Sequence, residues 1–460
     1  MGALEQGHYM DELEENDVEL GSESEPEPEP ELECDKEVKE AVRVLLEGIG
    51  EDCEREGLKR TPHRVAKAFR EGTRGYNQKA RDIVKGALFP EAGLGHINGH
   101  TGAVCGMVLV NDLDLFSYCE SCLLPFAIRC HVSYLPSSNR VVGLSKLSRV
   151  SEVFAKRLQN PQKLAMEVCA ALDASIKPAG VAVVLQCSHV PFPETFVSSS
   201  DWNQVCSSAR LGALEEDHAQ WNDFLALLKL KGVNGIESSN TLQNWCPSLK
   251  NTVNGKNMCN NKSYSSMVSA VVSILRAIGE DPLRKELVST PYRYVQWLMR
   301  FKTSKTPEFI SILNLNTNDE ELKKEAIMTN GHGSKICYEL SLPFCSQCEH
   351  HLIPFYGSVH IGWFGNAERC IDRAHLLALV QFYACKLQVQ ERMTRQIAES
   401  VHAWCDKGVA VVVEANHICM ISRGIEKVRS SSATISVLGK FATDLVARAS
   451  FLQSISKCTG

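Results

Sequence analysis

No apolar run in this 460-residue chain approaches the ~18 residues of a membrane-spanning helix, so a soluble protein with no membrane partner is expected. Lys and Arg are missing from residues 1 to 35, which hold 14 Asp and Glu. An apolar secretory leader and an Arg-rich, acid-poor transit peptide both need the opposite, and the expected compartment is the cytoplasm. Long Lys/Arg runs and stacked aromatic motifs are lacking too, which speaks against a nucleic-acid partner. Cysteine, by contrast, is plentiful, with 19 residues. In a long chain expected to stay in a reducing compartment, those thiols should be free or metal-bound rather than paired in a disulfide framework.

The formal charge of −6 hides an imbalance. Without the 14 acids of the first 35 residues, 49 Lys and Arg face 41 Asp and Glu. That excess suits an anionic ligand, and a mixed charged surface accounts for it equally well. At ~150 residues per domain the length predicts two to four domains. The alternation of Glu with Pro from Glu23 to Glu33 opposes helix formation and buries nothing apolar, so residues 1 to 35 are predicted to be a disordered acidic tail.

After the tail the chain repeats itself. Gly48-Ile-Gly-Glu-Asp52 recurs as Ala277-Ile-Gly-Glu-Asp281, Thr61-Pro-His-Arg64 as Thr290-Pro-Tyr-Arg293, and Leu124-Pro-Phe126 as Ile353-Pro-Phe355, each at an offset of 229. A period that long exceeds any stacking repeat of ~20–50 residues, so each copy should be a complete domain. The predicted domains are residues 36 to 231 and 263 to 460, joined by an Asn-, Ser- and Gly-rich linker over 232 to 262 that has no apolar period. Within each copy, Thr-Pro at 61 and 290 reads as a helix start. Val359, Ile361 and Trp363 alternate with polar or small residues as in a half-buried strand. Met393, Ile397, Val401 and Trp404 form one face of a helix running from Glu391, and residues 408 to 414 form a further strand. Paired helices between strands, twice over, predict an α+β fold.

The chemistry concentrates in the second copy. Cys348-Glu349-His350-His351 and Asn416-His417-Ile418-Cys419 each follow a strand-like stretch. Two thiolates and an imidazole suit Zn²⁺, and three protein ligands leave a fourth position for water, so Cys348, His351 and Cys419 would make a catalytic rather than a closed site. His350 and His417 then remain as imidazoles beside the metal, the side-chain type most often used for proton transfer. Core filling by Cys and His is the competing reading for any one of them alone.

Phe344-Cys-Ser-Gln-Cys-Glu-His-His-Leu-Ile-Pro-Phe, Leu387-Gln-Val-Gln-Glu-Arg and Asn416-His-Ile-Cys-Met, with Arg423-Gly424, resemble the signatures of the GTP cyclohydrolase I family, and the likeness spans both copies. The tandem arrangement with divergent halves is similar to the plant form of that family. The resemblance implies two tunnelling-fold domains, antiparallel sheets with paired helices that assemble into barrels, in a homo-oligomer whose sites lie at domain or subunit interfaces. It implies a Zn²⁺ cofactor, and hydrolytic opening of the GTP imidazole ring to dihydroneopterin triphosphate and formate, the entry to the pteridine branch of folate synthesis. It further implies that His417 gives a proton to N7 and His350 assists as the formyl group leaves. Glu391, with Gln390 beside it, would accept hydrogen bonds from the guanine N–H edge. Ser145, Lys146 and Arg149 would meet the triphosphate at a helix start, with Arg423 and, from the Thr-Pro helices, Arg64, Lys67 and Arg293.

The halves depart from that pattern in complementary ways. Cys119 and Cys122 stand where Cys348 and His351 stand, but Pro191 replaces Cys419 and Gln162 replaces Glu391. The first half is therefore expected to lack a complete metal site, with His189 a remnant, and the chain to bind one zinc. Asp372 to Ala378 in turn lacks the Ser, Lys and Arg of the segment from Gly143 to Arg149. A non-catalytic regulatory or scaffolding member of the fold, and a tunnelling-fold enzyme acting on pterins or deazapurines, are the competing readings.

Overall fold

In the computed structural model the described residues are 33–90, 106–137, 140–189, 203–233, 245–249, 262–303, 326–329, 335–365, 371–405, 407–422 and 430–458. The first half begins with helices α1 (Glu33–Gly48) and α2 (Thr61–Thr73). It continues through strands β1 (Val108–Cys119) and β2 (Pro125–Leu135), helix α3 (Leu144–Ala155), the short strand β3 (Leu158–Gln159), helix α4 (Pro161–Ile176), strands β4 (Gly180–His189) and β5 (Asn203–Gly212), and helix α5 (His218–Leu230). The second half repeats this order as α6 (Lys262–Ala277), α7 (Thr290–Thr303), an added strand β6 (Ala326–Thr329), β7 (Lys335–Cys348), β8 (Pro354–Gly365), α8 (Arg373–Ala384), β9 (Leu387–Gln388), α9 (Gln390–Cys405), β10 (Gly408–His417), β11 (Ser432–Gly439) and α10 (Leu445–Cys458).

The sheets run β3-β1-β2-β4-β5 and β9-β7-β8-β10-β11, antiparallel except for the short strands β3 and β9, which pair parallel with β1 and β7. Proline starts the helices as expected. Pro62 opens α2, and Pro161 opens α4 behind Asn160, whose side chain caps by accepting from the Lys163 N–H at 2.9 Å. The buried faces of the paired helices, such as Leu147 and Val150 of α3 and Leu164, Val168 and Leu172 of α4, close over one side of the first sheet. The α+β architecture with two tandem domains is the one expected.

The two halves share a core. Leu45 and Leu46 of α1 lie with Met267 and Ile274 of α6 in one apolar cluster, joined by Trp297 of α7 and Leu352. Gly48 permits the close approach of α1 to α6, because a Cβ there would stand 2.4 Å from the Met267 Cγ and Sδ. Beyond the core, the halves exchange equivalent contacts. Thr61 Oγ1 donates to the Glu349 carbonyl at 2.7 Å, and Thr290 Oγ1 to the Glu120 carbonyl at 2.5 Å. Arg55 Nη1 donates to Glu349 Oε2 at 3.0 Å, and Arg284 Nη1 to Glu120 Oε2 at 3.0 Å. The carboxylate of Glu349 also receives Arg392 at 2.6 and 2.9 Å. Burial would raise the Glu349 pKa, but hydrogen bonds from Arg392 and Arg55 outweigh it and hold the group below its ordinary value.

Replacing Arg55 with Ala is expected to lower stability by about 1–3 kcal/mol, read from the urea midpoint, because Glu349 is almost wholly buried and would lose one charged partner. An unchanged midpoint would show that the exchanged loops hold without this pair.

Two boundaries differ from expectation. Residues 33 to 35, assigned to the acidic tail, begin α1 instead; Asp35 is buried and pairs with Arg70. Tail residues 1 to 32 lie outside the described residues. The linker over 232 to 262 also contains packed chain, since Trp245, Cys246, Pro247 and Ser248 are buried against the first half. An indole and a thiol gain from leaving water whatever the polarity of their neighbours in sequence. Among the described residues no helix is long and apolar enough to cross a membrane.

Candidate metal centre and substrate site

The turn between β7 and β8 presents the second-half cluster. The Cys348 N–H donates to the Ile353 carbonyl at 3.1 Å, the His351 and Leu352 N–H groups donate back to the Cys348 carbonyl at 3.4 and 3.0 Å, and the Glu349 N–H donates to Gln388 of β9 at 3.1 Å. Leu352 adopts φ 51°, a left-handed conformation unusual for a branched side chain and costly unless the surroundings impose it. Its counterpart Leu123 does the same at φ 58°. Cys419 comes from the short helix Ile418–Ile421 that follows β10.

The donor atoms of Cys348, His351 and Cys419 all lie within 4.8 Å of one another, with Cys348 Sγ 3.9 Å from His351 Nδ1. Both thiols are buried and the imidazole is half-buried. The neighbouring Cys419, against the effect of burial, and then His351 hold the Cys348 thiol well below its ordinary pKa. Two soft sulfur donors and one imidazole converging on one point fit a zinc ion, and three ligands leave a coordination position open.

The two remaining imidazoles are placed differently. His350 is half-buried, with Nε2 3.8 Å from Glu349 Oε1. His417 ends β10 directly opposite Phe355 in the strand register, so the rings stack with centroids 4.8 Å apart and planes 5° apart. Its Nε2 lies 2.8 Å from Gln390 Oε1. Gln390 was expected beside Glu391 at the guanine edge. Instead it is buried, its amide donating to the Val413 and Ser432 carbonyls at 2.9 and 3.2 Å while its oxygen also accepts from Ser432 Oγ at 2.8 Å. With its amide group engaged in this way, Gln390 orients His417. An amide oxygen accepts only, so the His417 Nε2 in this contact carries the proton.

Glu391, one residue on in the first turn of α9, is exposed and makes no hydrogen bond or ion pair among the described residues. Ser145 and Arg149 are exposed and Lys146 half-buried in the first turns of α3. Arg64 is half-buried and Lys67 exposed on α2, while Arg293 of α7 has a buried Nε with no hydrogen-bond partner among the described residues. Arg423 and Pro191 lie outside the described residues. The structure thus brings the three metal donors together, two residues from His417, and sets Arg64 one helical turn beyond Thr61, whose hydroxyl donates to the Glu349 carbonyl in the same turn as Cys348 and His351. The other end of α3 does reach the second half, where Lys156 Nζ donates to the Ser422 carbonyl at 3.1 Å. At a rise of about 1.5 Å per residue, Ser145 stands roughly 16 Å along the helix from Lys156.

Sequence reasoning missed Cys246. Among the described residues it joins Cys119, Cys122 and His189 in a second group of metal-type donors, so His189 is not the isolated remnant expected. The available signal was an unmatched Cys119-x-x-Cys122 pair in a half with an apparently incomplete donor set.

Comparison with known proteins identifies the family. The family model for GTP cyclohydrolase I matches twice, over residues 38–229 and 267–456. A GTP cyclohydrolase 1 from Solanum lycopersicum is 51% identical across 99% of this chain and 98% of its own length. A GTP cyclohydrolase 1 from Arabidopsis thaliana is 48% identical across 91% of this chain and 90% of its own. One from Gloeobacter violaceus is 42% identical over 193 residues, 84% of its length but 42% of this chain. Matched in both halves by one family model and nearly end to end by full-length relatives, the chain belongs to the GTP cyclohydrolase I family.

Proposed function

We propose that Cys348, His351 and Cys419 hold the zinc ion at which this chain hydrolyses GTP to 7,8-dihydroneopterin triphosphate and formate, the first step of the pterin branch of folate synthesis. The observation that carries the reading is the convergence of three donors within 4.8 Å in the same half as His350 and His417, with one ligand position left open. When bound, zinc there supplies Lewis-acid activation for the attack of water on C8 of the purine. The chain's own groups do the rest. His417, held by Gln390 and the face of Phe355, is oriented to pass a proton to the purine nitrogen as the imidazole ring opens. His350 assists as the formyl group departs. Glu391, unengaged and exposed, can accept from both N1–H and the exocyclic amine of guanine, a pattern adenine does not offer.

The triphosphate needs cations. Ser145, Lys146 and Arg149 stand at the α3 start, where free N–H groups add to the positive field, and Arg64, Lys67, Arg293 and Arg423 complete the set. The reading takes the protein to be a homo-oligomer with its sites at domain or subunit interfaces, so that residues of a neighbouring copy can complete each site. The reading places the chain in the cytoplasm, the compartment expected from the acid-rich, Lys- and Arg-free residues 1 to 35. The complete donor set in the second half favours catalysis over a scaffolding role.

Substituting Cys348 with Ala should remove the second-half metal and abolish turnover, measured as metal content together with fluorescent pterin formed from GTP. If Cys348→Ala retains its full metal content, the ligand assignment fails.

A further inference from the structure

The first half gathers four donors where the sequence promised an incomplete site. Cys119 ends β1, Cys122 comes from the turn after it, His189 from the end of β4, and Cys246 from the segment joining the halves. All four residues are fully buried. Their donor atoms lie within 4.8 Å of one another, with His189 Nε2 3.3 Å from Cys122 Sγ and 3.6 Å from Cys246 Sγ. Tetrahedral zinc with Zn–S of about 2.3 Å and Zn–N of about 2.0 Å sets sulfur and nitrogen about 3.5 Å apart. From this geometry we propose that Cys119, Cys122, His189 and Cys246 form a second, closed zinc site that pins the joining segment to the first half.

The pseudo-equivalent residues explain how such a site arises. Cys119 and Cys122 align with Cys348 and His351, and His189 with His417. In the second half, Gln390 holds His417. The first-half residue aligned with Gln390 is Pro161, which has no side-chain acceptor, and His189 turns its Nε2 to the sulfurs. The ring keeps its parallel stack on the opposite strand, now Phe126 with planes 5° apart, but the centroids stand 6.4 Å apart instead of 4.8 Å. Cys246 then supplies the donor that position 191 cannot, arriving from another part of the chain.

Its surroundings complete the anchor. Trp245 packs edge-on against Phe126 and His189, with centroids at 4.9 and 5.1 Å. The Ser121 N–H donates to Cys119 Sγ at 3.4 Å, and Ser248 Oγ lies 3.0 Å from Cys246 Sγ, contacts that help a buried metal-thiolate group carry its charge. Four protein ligands leave no position for water, so this site holds structure and takes no part in hydrolysis.

Metal analysis of the full-length protein purified under reducing conditions tests this. Two zinc ions per chain are expected, falling to one in Cys246→Ser and to one in Cys348→Ala. X-ray absorption at the zinc edge of Cys348→Ala should report three sulfurs and one nitrogen, whereas Cys246→Ser should report two sulfurs. The conservative Cys122→His should keep both ions. A single zinc in the wild-type chain, a metal-free Cys348→Ala, or a disulfide among Cys119, Cys122 and Cys246 in the reduced, purified protein would each overturn the proposal. Should Cys246→Ser prove insoluble, the Cys348→Ala spectrum alone decides.

Discussion

Replacing His417 with Ala is expected to cut GTP turnover by about 10²–10⁴-fold, the usual loss when a general acid or base is removed, while metal content and GTP affinity stay near wild type. The structure makes this a sharp separation of roles. The His417 Nε2 faces the Gln390 amide oxygen at 2.8 Å, and His417 is not among the three clustered donors. Turnover measured with metal content and GTP binding on one preparation distinguishes proton transfer from ligation. Loss of the second-half metal with the activity would make His417 a ligand and displace His351 from that role.

The second large effect concerns division of the chain. Residues 36 to 240 and 255 to 460, expressed separately, should be inactive, because each lacks what the other holds. The second half carries the metal donors, both imidazoles and Glu391; the first carries Ser145, Lys146, Arg149 and Lys67. A triphosphate left without those cations binds weakly and misplaces C8 relative to the acid and base. The structure adds a physical cause. Separation uncovers the helix face where Leu45 and Leu46 meet Met267 and Ile274, and leaves Glu349 without Arg55. In the intact chain, Lys146→Ala should raise KM for GTP with the metal untouched. That readout isolates phosphate binding from folding. Turnover by the isolated second half at the full-length rate, or an unchanged kcat/KM in Lys146→Ala, would refute the composite site.

The second-half centre was legible because its donors come in two short motifs. Cys348 and His351 share one turn, Cys419 follows His417 by two residues, and the ligand chemistry of zinc selects among them. The first-half cluster was not legible. Its fourth donor lies 57 residues beyond His189, in a segment whose Asn and Ser content reads as linker, and that segment also contains Cys259. Nothing in the neighbouring sequence marks Cys246 out as the donor rather than Cys259. Gln390 was misread for a related reason. It adjoins Glu391 in sequence, but on a helix consecutive residues point about 100° apart, so one faces β10 and the other faces out.

The sequence by itself determined the repeat at 229 residues, the Thr-Pro helix starts, the strand and helix periods, the second-half donor set and the unequal endowment of the two halves. These follow from backbone preferences, side-chain periodicity and ligand chemistry, which act over a few residues. Tertiary structure alone decided the shared core of α1 and α6, the exchange of Arg55 and Thr61 for Arg284 and Thr290 across the halves, the bond from His417 to Gln390, and the meeting of Cys246 with His189. Each joins groups far apart along the chain or selects among nearby groups by the direction their side chains face. Such contacts depend on the packing of whole elements, for which neighbouring residues carry no signal.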